Sequence, residues 1–323
     1  MKKILVLLLV SLFTITIFAE VKIGITAIVE HPALDACREG VLDLLEEKGL
    51  LDGVIVDFQN AQGDMKIAKS IADQFVSDGV NLIVAIATPV AQACAGATKN
   101  IPIVFSAVTD PVGAGLIEKL GNNEGNIVGV SDMTPVLTQL QLLKFVLPDA
   151  VKVGFVLNPS EANSLTLLDL AKQAAEQLGM EVIEIPGSTT SEMITSMNAL
   201  IDEVDAIYIG TDNTAASSIQ SLGTIAKNAG VPIIAADIDI ARGGGVIGFG
   251  FNYYKIGLKT GELVAEILKG TPVNELESGI LSADSLDLYI DLDLASDLEL
   301  ELPESLIVKA DFIVENGQET EIN

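Results

Sequence analysis

The chain is poor in the residues from which most metal and redox sites are built. Its 323 residues include one histidine, two cysteines and no tryptophan. A zinc site takes three or four histidine, cysteine or carboxylate ligands at short spacing, and His31 has no such neighbours. We therefore expect neither a metal nor a cofactor.

Cysteine is also too scarce for a disulfide framework. Cys37 and Cys94 could pair in an oxidising compartment. The predicted elements, however, put them on helices that cover opposite faces of one sheet, which favours two buried free thiols. Neither lies near the N-terminal hydrophobic run, so we do not expect a lipid-modified cysteine there.

Basic residues are few. Lysine and arginine total 18 against 45 aspartates and glutamates, which gives a net charge of −27. Such a field repels nucleic acid and anionic membranes, and we expect neither as a partner.

The sequence motifs of common catalytic sites are absent as well. The sequence has no G-x-S-x-G, no P-loop, and no G-x-G-x-x-G after the first predicted strand. The triplet Gly243–Gly245 is not followed by a lysine. We therefore predict a protein that is not an enzyme.

One long hydrophobic run is present, at the N-terminus. MKKILVLLLVSLFTITIFAE has two lysines, an apolar stretch and a small residue, Ala19, before Glu20. This predicts a cleavable signal peptide over residues 1–19 and a periplasmic protein that is not a lipoprotein. An uncleaved membrane anchor is the alternative.

The mature length of about 300 residues favours two domains. Short β-branched segments alternate with amphipathic helical patterns, and this rhythm restarts once. The first set is VKIGITAI (21–28), GVIVDFQNA (53–61), NLIVAIAT (81–88) and IPIVFSAV (101–108). The second set is VKVGFVL (151–157), MEVIEIPG (180–187), AIYIGTDN (206–213), VPIIAAD (231–237) and GVIGFGF (245–251). This predicts an α/β protein of two Rossmann-like lobes with parallel sheets.

The helical pattern at 253–270 must pack on something, and the economical solution returns it to the first lobe. We predict lobes formed by 20–128 plus 253–281 and by 129–252 plus 282–323. The crossovers predict a hinge near 129–132 and 250–254, with a ligand cleft between the lobes. The acidic tail is predicted to hold a short helix after Pro303 and to fray beyond Asn316.

In such sheets, ligands bind beyond the carboxyl ends of the strands. Several predicted strand ends carry polar residues or helix starts. Any one of them could simply cap its own helix, but several on one side of two sheets favour a shared pocket.

The segments VEHPALD, IATPVAQA, FSAVTDPVGAGLI, NIVGVSD, LNPSEANS, YIGTDNT and GxxxGELVAEILKG together suggest a family. In order and spacing, over about residues 21–316, the chain resembles the substrate-binding proteins of ABC importers of the tryptophan/tyrosine-uptake type. The resemblance implies the periplasmic binding protein type 1 fold. It also implies capture of a small solute, an aromatic or branched apolar amino acid, by a monomer that delivers it to a permease with a separate ATPase.

Carried over by position, the resemblance also supplies ligand-binding candidates. They are His31, Pro32, Thr88, Pro89, Ser106, Asp110, Asn163, Ser164, Asp212, Asn213 and Asp237. Hydroxyls and helix amides would take the ligand carboxylate and an aspartate its ammonium. Asp212→Ala should then abolish binding and spare folding, and contact with His31 should make binding vary between about pH 5 and 8.

Alternatives of the same fold stay open. They are a binder of a sugar or nucleoside, a ligand-sensing receptor component, and an enzyme whose site the sequence does not reveal. Few aromatic residues argue mildly against the sugar binder, because sugar sites often stack their ligand on rings.

Overall fold

A computed structural model describes residues 20–122 and 124–322 of the chain. The predicted signal peptide lies outside the described residues. Within the described ranges, no helix has the length and apolar character needed to cross a membrane. The described chain folds into two α/β lobes, each built on one sheet.

The first lobe is a seven-stranded sheet in the order β2-β1-β3-β4-β6-β12-β5, in which only β5 runs antiparallel to its neighbour. Its elements are β1 (Val21–Ala27), α1 (Pro32–Glu47), β2 (Val54–Asn60), α2 (Met65–Ser77), β3 (Leu82–Ile86), α3 (Thr88–Ala97), β4 (Ile103–Ser106), β5 (Gly121–Asn122), β6 (Ile127–Ser131), α9 (Tyr253–Leu268) and β12 (Glu277–Ile280). The predicted boundary between residues 128 and 129 falls inside β6.

The second lobe is an eight-stranded sheet in the order β15-β14-β13-β11-β10-β9-β7-β8. Its elements are α4 (Val136–Val146), β7 (Lys152–Leu157), α5 (Ala162–Gln177), β8 (Glu181–Pro186), α6 (Thr190–Leu200), β9 (Ala206–Ile209), α7 (Asn213–Ala229), β10 (Ile233–Ala235), α8 (Ile238–Arg242), β11 (Ile247–Phe251), β13 (Leu286–Asp291), α10 (Leu292–Asp297), α11 (Glu304–Ile307), β14 (Phe312–Glu315) and β15 (Gln318–Glu321). Strand β13 is antiparallel to β11, and β15 to β14.

Local sequence explains these elements. All five residues of β3 are buried, because a central parallel strand is covered by helices on both faces. Helix α2 buries Ala68, Ile71 and Phe75, which recur on one helical face. Its first turn is capped by Asp64, whose carboxylate accepts the amide of Lys66 at 2.6 Å. The apolar patterns of the strands and helices therefore determine which of their faces are buried between the sheet and the helices.

Helix α9 returns to the first lobe and packs on α1. The two backbones approach so closely that a Cβ on Gly257 would lie 2.1 Å from the carbonyl oxygen of Cys37. Only glycine allows this contact. The chain therefore enters the second lobe after β6, returns after β11, and crosses again between β12 and β13.

The two cysteines are buried and unpaired with each other, as predicted. Burial raises the pKa of each thiol to about 12. Cys37 lies within hydrogen-bond distance of the Ser106 hydroxyl, at 2.9 Å, inside the first lobe.

The prediction that the tail frays beyond Asn316 is wrong. Residues 312–321 form the hairpin of β14 and β15, which turns at Asn316–Gly317. Both turn amides donate to the carboxylate of Asp293, and Arg242 pairs with Glu319 at 2.6 Å. An Asn-Gly pair between strands is a strong hairpin signal, which the acidic composition of the tail obscured.

Candidate functional site

A cavity lies between the lobes at the carboxyl ends of both sheets. It encloses about 290 Å³ of space free of atoms, part of it open to solvent. Its lining residues are His31, Leu34, Thr88, Ala107, Thr109, Asp132, Asn163, Thr211, Asp212, Asn213, Ala216, Asp237, Ile240 and Tyr253.

In the first lobe, two adjacent strands deliver their lining residues through strained turns. Ala87, after β3, and Ala107, after β4, have φ of 83° and 54°, a region that residues with a Cβ rarely occupy. Such conformations cost about 1–3 kcal/mol each and cluster at functional sites. Here they aim Thr88 and Thr109 at the cavity.

In the second lobe, Asp212 joins three loops. Its Oδ1 accepts the amide of Ala215 at 2.8 Å, which caps α7. Its Oδ2 accepts the amide of Asn158 at 2.6 Å and the hydroxyl of Ser164. Burial raises the pKa of the carboxyl, although these donors act in the opposite direction. Both oxygens of Asp212 are thus occupied by protein groups.

Glu161 lies beside this cluster and is equally satisfied. Its Oε1 accepts the side-chain amide of Asn158 at 3.3 Å, and its Oε2 those of Asn163, at 3.1 Å, and Asn213. Burial, and then the charge of Asp212, raise the pKa of Glu161 to about 7. The pair forms a rigid polar wall.

His31 stands in front of that wall, at the start of α1. Burial lowers the pKa of its imidazole to about 4, against the opposing effect of hydrogen bonding with the Asn213 side chain from the other lobe. In this arrangement of the lobes the ring is therefore neutral between pH 5 and 8. An imidazole that is protonated in the open form would lose its proton on closure, so binding should weaken as the pH falls below about 6.5.

At the opposite end, three groups gather where the chain crosses between lobes. The Tyr253 hydroxyl donates to Asp132 Oδ2 at 2.6 Å. Burial raises the pKa of Asp132, and the hydroxyls of Tyr253 and Thr109 oppose that rise. Of these two hydroxyls, that of Tyr253 is hydrogen-bonded to Asp132, whereas that of Thr109 pairs with Thr211. Burial, and then the charge of Asp239, raise the pKa of Asp237 to about 8, with a further contribution from Asp132.

Four buried polar atoms of the cavity lining have no hydrogen-bond partner in the described part of the chain. We call them the open atoms: His31 Nε2, Thr88 Oγ1, Asp132 Oδ1 and Asn163 Oδ1. A buried polar atom left unpaired costs about 1–3 kcal/mol, and native proteins rarely tolerate one. Four around one cavity indicate a ligand that completes them.

The two lobes also touch directly beside the cavity. The hydroxyls of Thr109, from the first lobe, and Thr211, from the second, are 2.8 Å apart and buried. This hydrogen bond forms only when the lobes are together.

The sequence-predicted residues divide into two groups. Those on the cavity wall are His31, Thr88, Asn163, Asp212, Asn213 and Asp237. The rest lie elsewhere, for different reasons: Pro32 begins α1 and is exposed, Pro89 lines the outer mouth of the cleft, Ser106 bonds inside the first lobe, Asp110 caps its own turn, and Ser164 supports Asp212.

Sequence reasoning missed Thr109, Asp132, Thr211 and Tyr253. The sequence analysis places Asp132 only in the hinge. Asp132 nevertheless comes directly after β6, in the same way as the predicted ligand-binding residues come after their strands. Tyr253 gave no such signal, because it opens a long amphipathic helix. Within the described ranges, no three His, Cys, Asp or Glu side chains converge as a metal site.

Comparison with known proteins agrees with this geometry. The sequence profile of the family described as ABC transporter substrate binding protein matches residues 22–314. A protein named tyrosine-binding protein, from Clostridioides difficile strain R20291, is 40% identical over 281 residues, which cover 86% of this chain and 81% of that protein.

Two solved structures are informative as a pair. The chain matches a Streptococcus pneumoniae ABC domain in complex with L-Trp at 32% identity and a TM-score of 0.88, over 92% of this chain and 100% of the other. It matches the ligand-free, open structure of a Clostridium difficile substrate binding protein at 40% identity but a TM-score of 0.67, over 91% and 99%. The lobes are therefore arranged as in the ligand-bound relative and not as in the open one, although the open one is closer in sequence.

Proposed function

The chain belongs to the family of ABC transporter substrate-binding proteins, and from that premise we propose that it captures an aromatic amino acid between its lobes. The observation that carries the proposal is the set of four open atoms around one cavity between the lobes. One relative is named for tyrosine binding and another was solved in complex with L-Trp, which supports the aromatic class.

The cavity offers a place for each part of an amino acid. Thr88 Oγ1, at the start of α3, is an open hydroxyl beside helix amides, which suits the ligand carboxylate. Of the described residues that line the cavity, none is a lysine or arginine, while several are aspartates. The anionic lining favours a ligand that also carries a cation.

Apolar side chains remain for the ligand ring. Leu34 and Ala107 come from the first lobe, and Ala216 and Ile240 from the second. Aliphatic walls bury a ring as well as aromatic ones do, so the absence of tryptophan is no obstacle. A phenol O–H or indole N–H could donate to Asn163 Oδ1, which is an acceptor because the Nδ2 of this residue already donates to Glu161 and to Thr211 O.

Binding would proceed by closure of the lobes about the three crossovers. Ligand shifts the balance only through contacts made in the closed form, such as those with the open atoms. The closed protein would then hand its ligand to a permease driven by a separate ATPase. We place it in the periplasm as a monomer whose signal peptide ends at Ala19.

Calorimetry on protein freed of ligand tests this proposal. We expect L-tyrosine and L-tryptophan to bind at least about tenfold more tightly than L-leucine, because the pocket is filled by a ring. D-tyrosine, with the same atoms and the opposite hand, is the matched control and should bind weakly. Tight binding of a sugar or nucleoside, with no response to any amino acid, would overturn the proposal.

A further inference from the structure

Four buried carboxyl groups lie in or beside the cavity wall: Asp132, Asp212 and Asp237 line the cavity, and Glu161 lies next to Asp212. A ligand ammonium taken out of water needs a carboxylate oxygen that is free to accept it. Hydrogen-bond occupancy therefore distinguishes the four, although all are carboxyl groups.

Two of the four are occupied. Both oxygens of Glu161 accept side-chain amides, and both oxygens of Asp212 accept backbone amides or the Ser164 hydroxyl. An ammonium at either would compete with hydrogen bonds that already hold the second lobe together. These two carboxyl groups are therefore the weaker candidates for the ammonium.

Asp132 differs. Its Oδ2 accepts the Tyr253 hydroxyl at 2.6 Å, while its Oδ1 is an open atom. The residue is only 3% exposed, so bulk water does not compensate. Asp237 also lines the cavity; its Oδ1 caps α8 through the amide of Ile240 at 2.7 Å, and its Oδ2 is a second candidate acceptor.

We propose that Asp132 Oδ1 binds the ammonium of the amino-acid ligand, with Asp237 as a second carboxyl group on the same side and Tyr253 as the residue that positions Asp132. This rests on the proposed function, since it requires a ligand with an amino group. The sequence analysis leaves the ammonium to an aspartate without choosing one, and Asp132 is not among its ligand-binding candidates.

The place of this pair in the chain gives it a second role. Asp132 is the first residue after β6, where the chain leaves the first lobe, and Tyr253 lies two residues after β11, where it returns. Their hydrogen bond joins two crossovers. An ammonium on Asp132 would thus bind at the hinge itself, so that occupancy and lobe closure are linked.

The test compares L-tyrosine with its des-amino analogue, 3-(4-hydroxyphenyl)propionate, by calorimetry on the full mature chain. In Asp132→Asn, the affinity for L-tyrosine should fall about 30- to 100-fold, because a hydrogen bond between two charged groups is lost. The affinity for the analogue should stay unchanged. Tyr253→Phe keeps the carboxylate and removes its anchor, so it should give a smaller loss, of about tenfold, again confined to L-tyrosine.

Asp212→Asn is the matched control, a buried carboxyl nearby with no free oxygen. Any loss there should be equal for the two ligands. Equal losses in Asp132→Asn, or none, would overturn the assignment. If the unaltered protein binds the analogue as tightly as L-tyrosine, no group in the site binds the ammonium and the inference also fails. Failure of the unaltered protein to bind any amino acid would instead refute the proposed function.

Discussion

The two walls of the cavity are built differently. On the second-lobe wall, Glu161, Asp212 and Asn213 hydrogen-bond to one another's loops, and Asn163 Oδ1 alone is open. On the first-lobe wall and the hinge, His31, Thr88 and Asp132 each present an open atom. The second-lobe wall has all but one of its buried polar atoms paired before ligand arrives, whereas the first-lobe wall and the hinge present three that ligand must complete.

This difference suggests a division of labour. A network of satisfied buried groups is rigid and contributes to folding. Open atoms destabilise the fold without ligand and gain their hydrogen-bond energy only when ligand is present. Substitutions on the second-lobe wall should therefore reduce stability, and those on the first-lobe wall should reduce affinity.

The largest effect is expected from Asp212→Ala. Three donors, the amides of Asn158 and Ala215 and the hydroxyl of Ser164, would lose their acceptor in a buried site. We expect the free energy of unfolding to fall by on the order of 3 kcal/mol, measured by urea denaturation without ligand. This replaces the sequence-based expectation that the variant folds normally. A variant as stable as the parent would show that the second-lobe wall does not contribute to folding stability.

A large effect at acid pH is expected from His31. It is the only histidine, so its imidazole titration in an NMR spectrum is unambiguous. In the ligand-bound protein we expect a pKa of about 4, because burial opposes the charged form. A value near 6.5 would mean that the ring is exposed and the lobes open.

The same shift has a consequence for stability. The unfolded chain binds a proton at His31 near pH 6.5 and the folded chain only near pH 4, so the contribution of His31 is present above pH 6.5 and is lost as the pH falls to about 4. Over that pH range, the free energy of unfolding of His31→Gln should rise relative to that of the parent by up to about 3 kcal/mol, as measured by denaturation at each pH. Glu161 and Asp237 act with the opposite sign, because their folded pKa values, about 7 and about 8, are raised.

A moderate effect is expected from Thr88→Val on the first-lobe wall. The exchange removes an open hydroxyl and keeps the shape, so affinity for L-tyrosine should fall about tenfold with stability unchanged or slightly higher. Thr26→Val is the matched control. Thr26 Oγ1, in β1, is also buried with no partner among the described residues, but it lies off the cavity wall. Similar losses of affinity in both variants would contradict the division between the walls.

The smallest effect is expected where the walls meet. Thr109→Val and Thr211→Val each remove the hydrogen bond that joins the lobes, and each should weaken binding by about threefold, since only the closed form is affected. The double variant should be no weaker than either single one. Additive losses in calorimetry would show that the two hydroxyls act separately.

Sequence reasoning reached the fold because its signals are local. The β-branched runs form the core strands. The helix predicted at 253–270 is α9, which ends at Leu268, two residues before Gly270 with its φ of 99°. Sequence reasoning missed α4, whose apolar face is weakly marked, and the hairpin of β14 and β15 in the acidic tail.

For the site, the rule of strand ends selected the correct edge of both sheets but could not rank the residues there. Asp110 and Asp132 both follow strands, yet one caps an exposed turn and the other is buried with an open oxygen. Likewise Ser106 and Thr88 are both hydroxyls at neighbouring strand ends, and only Thr88 faces the cavity.

The sequence by itself determined two α/β lobes, the edge where ligand binds and the family, because periodicity and strand-end chemistry are properties of contiguous residues. Only the tertiary structure decided which polar atoms are already paired and which are open. That distinction depends on partners such as Asp132 and Tyr253, which are 121 residues apart in the chain and meet only because it crosses between the lobes more than once.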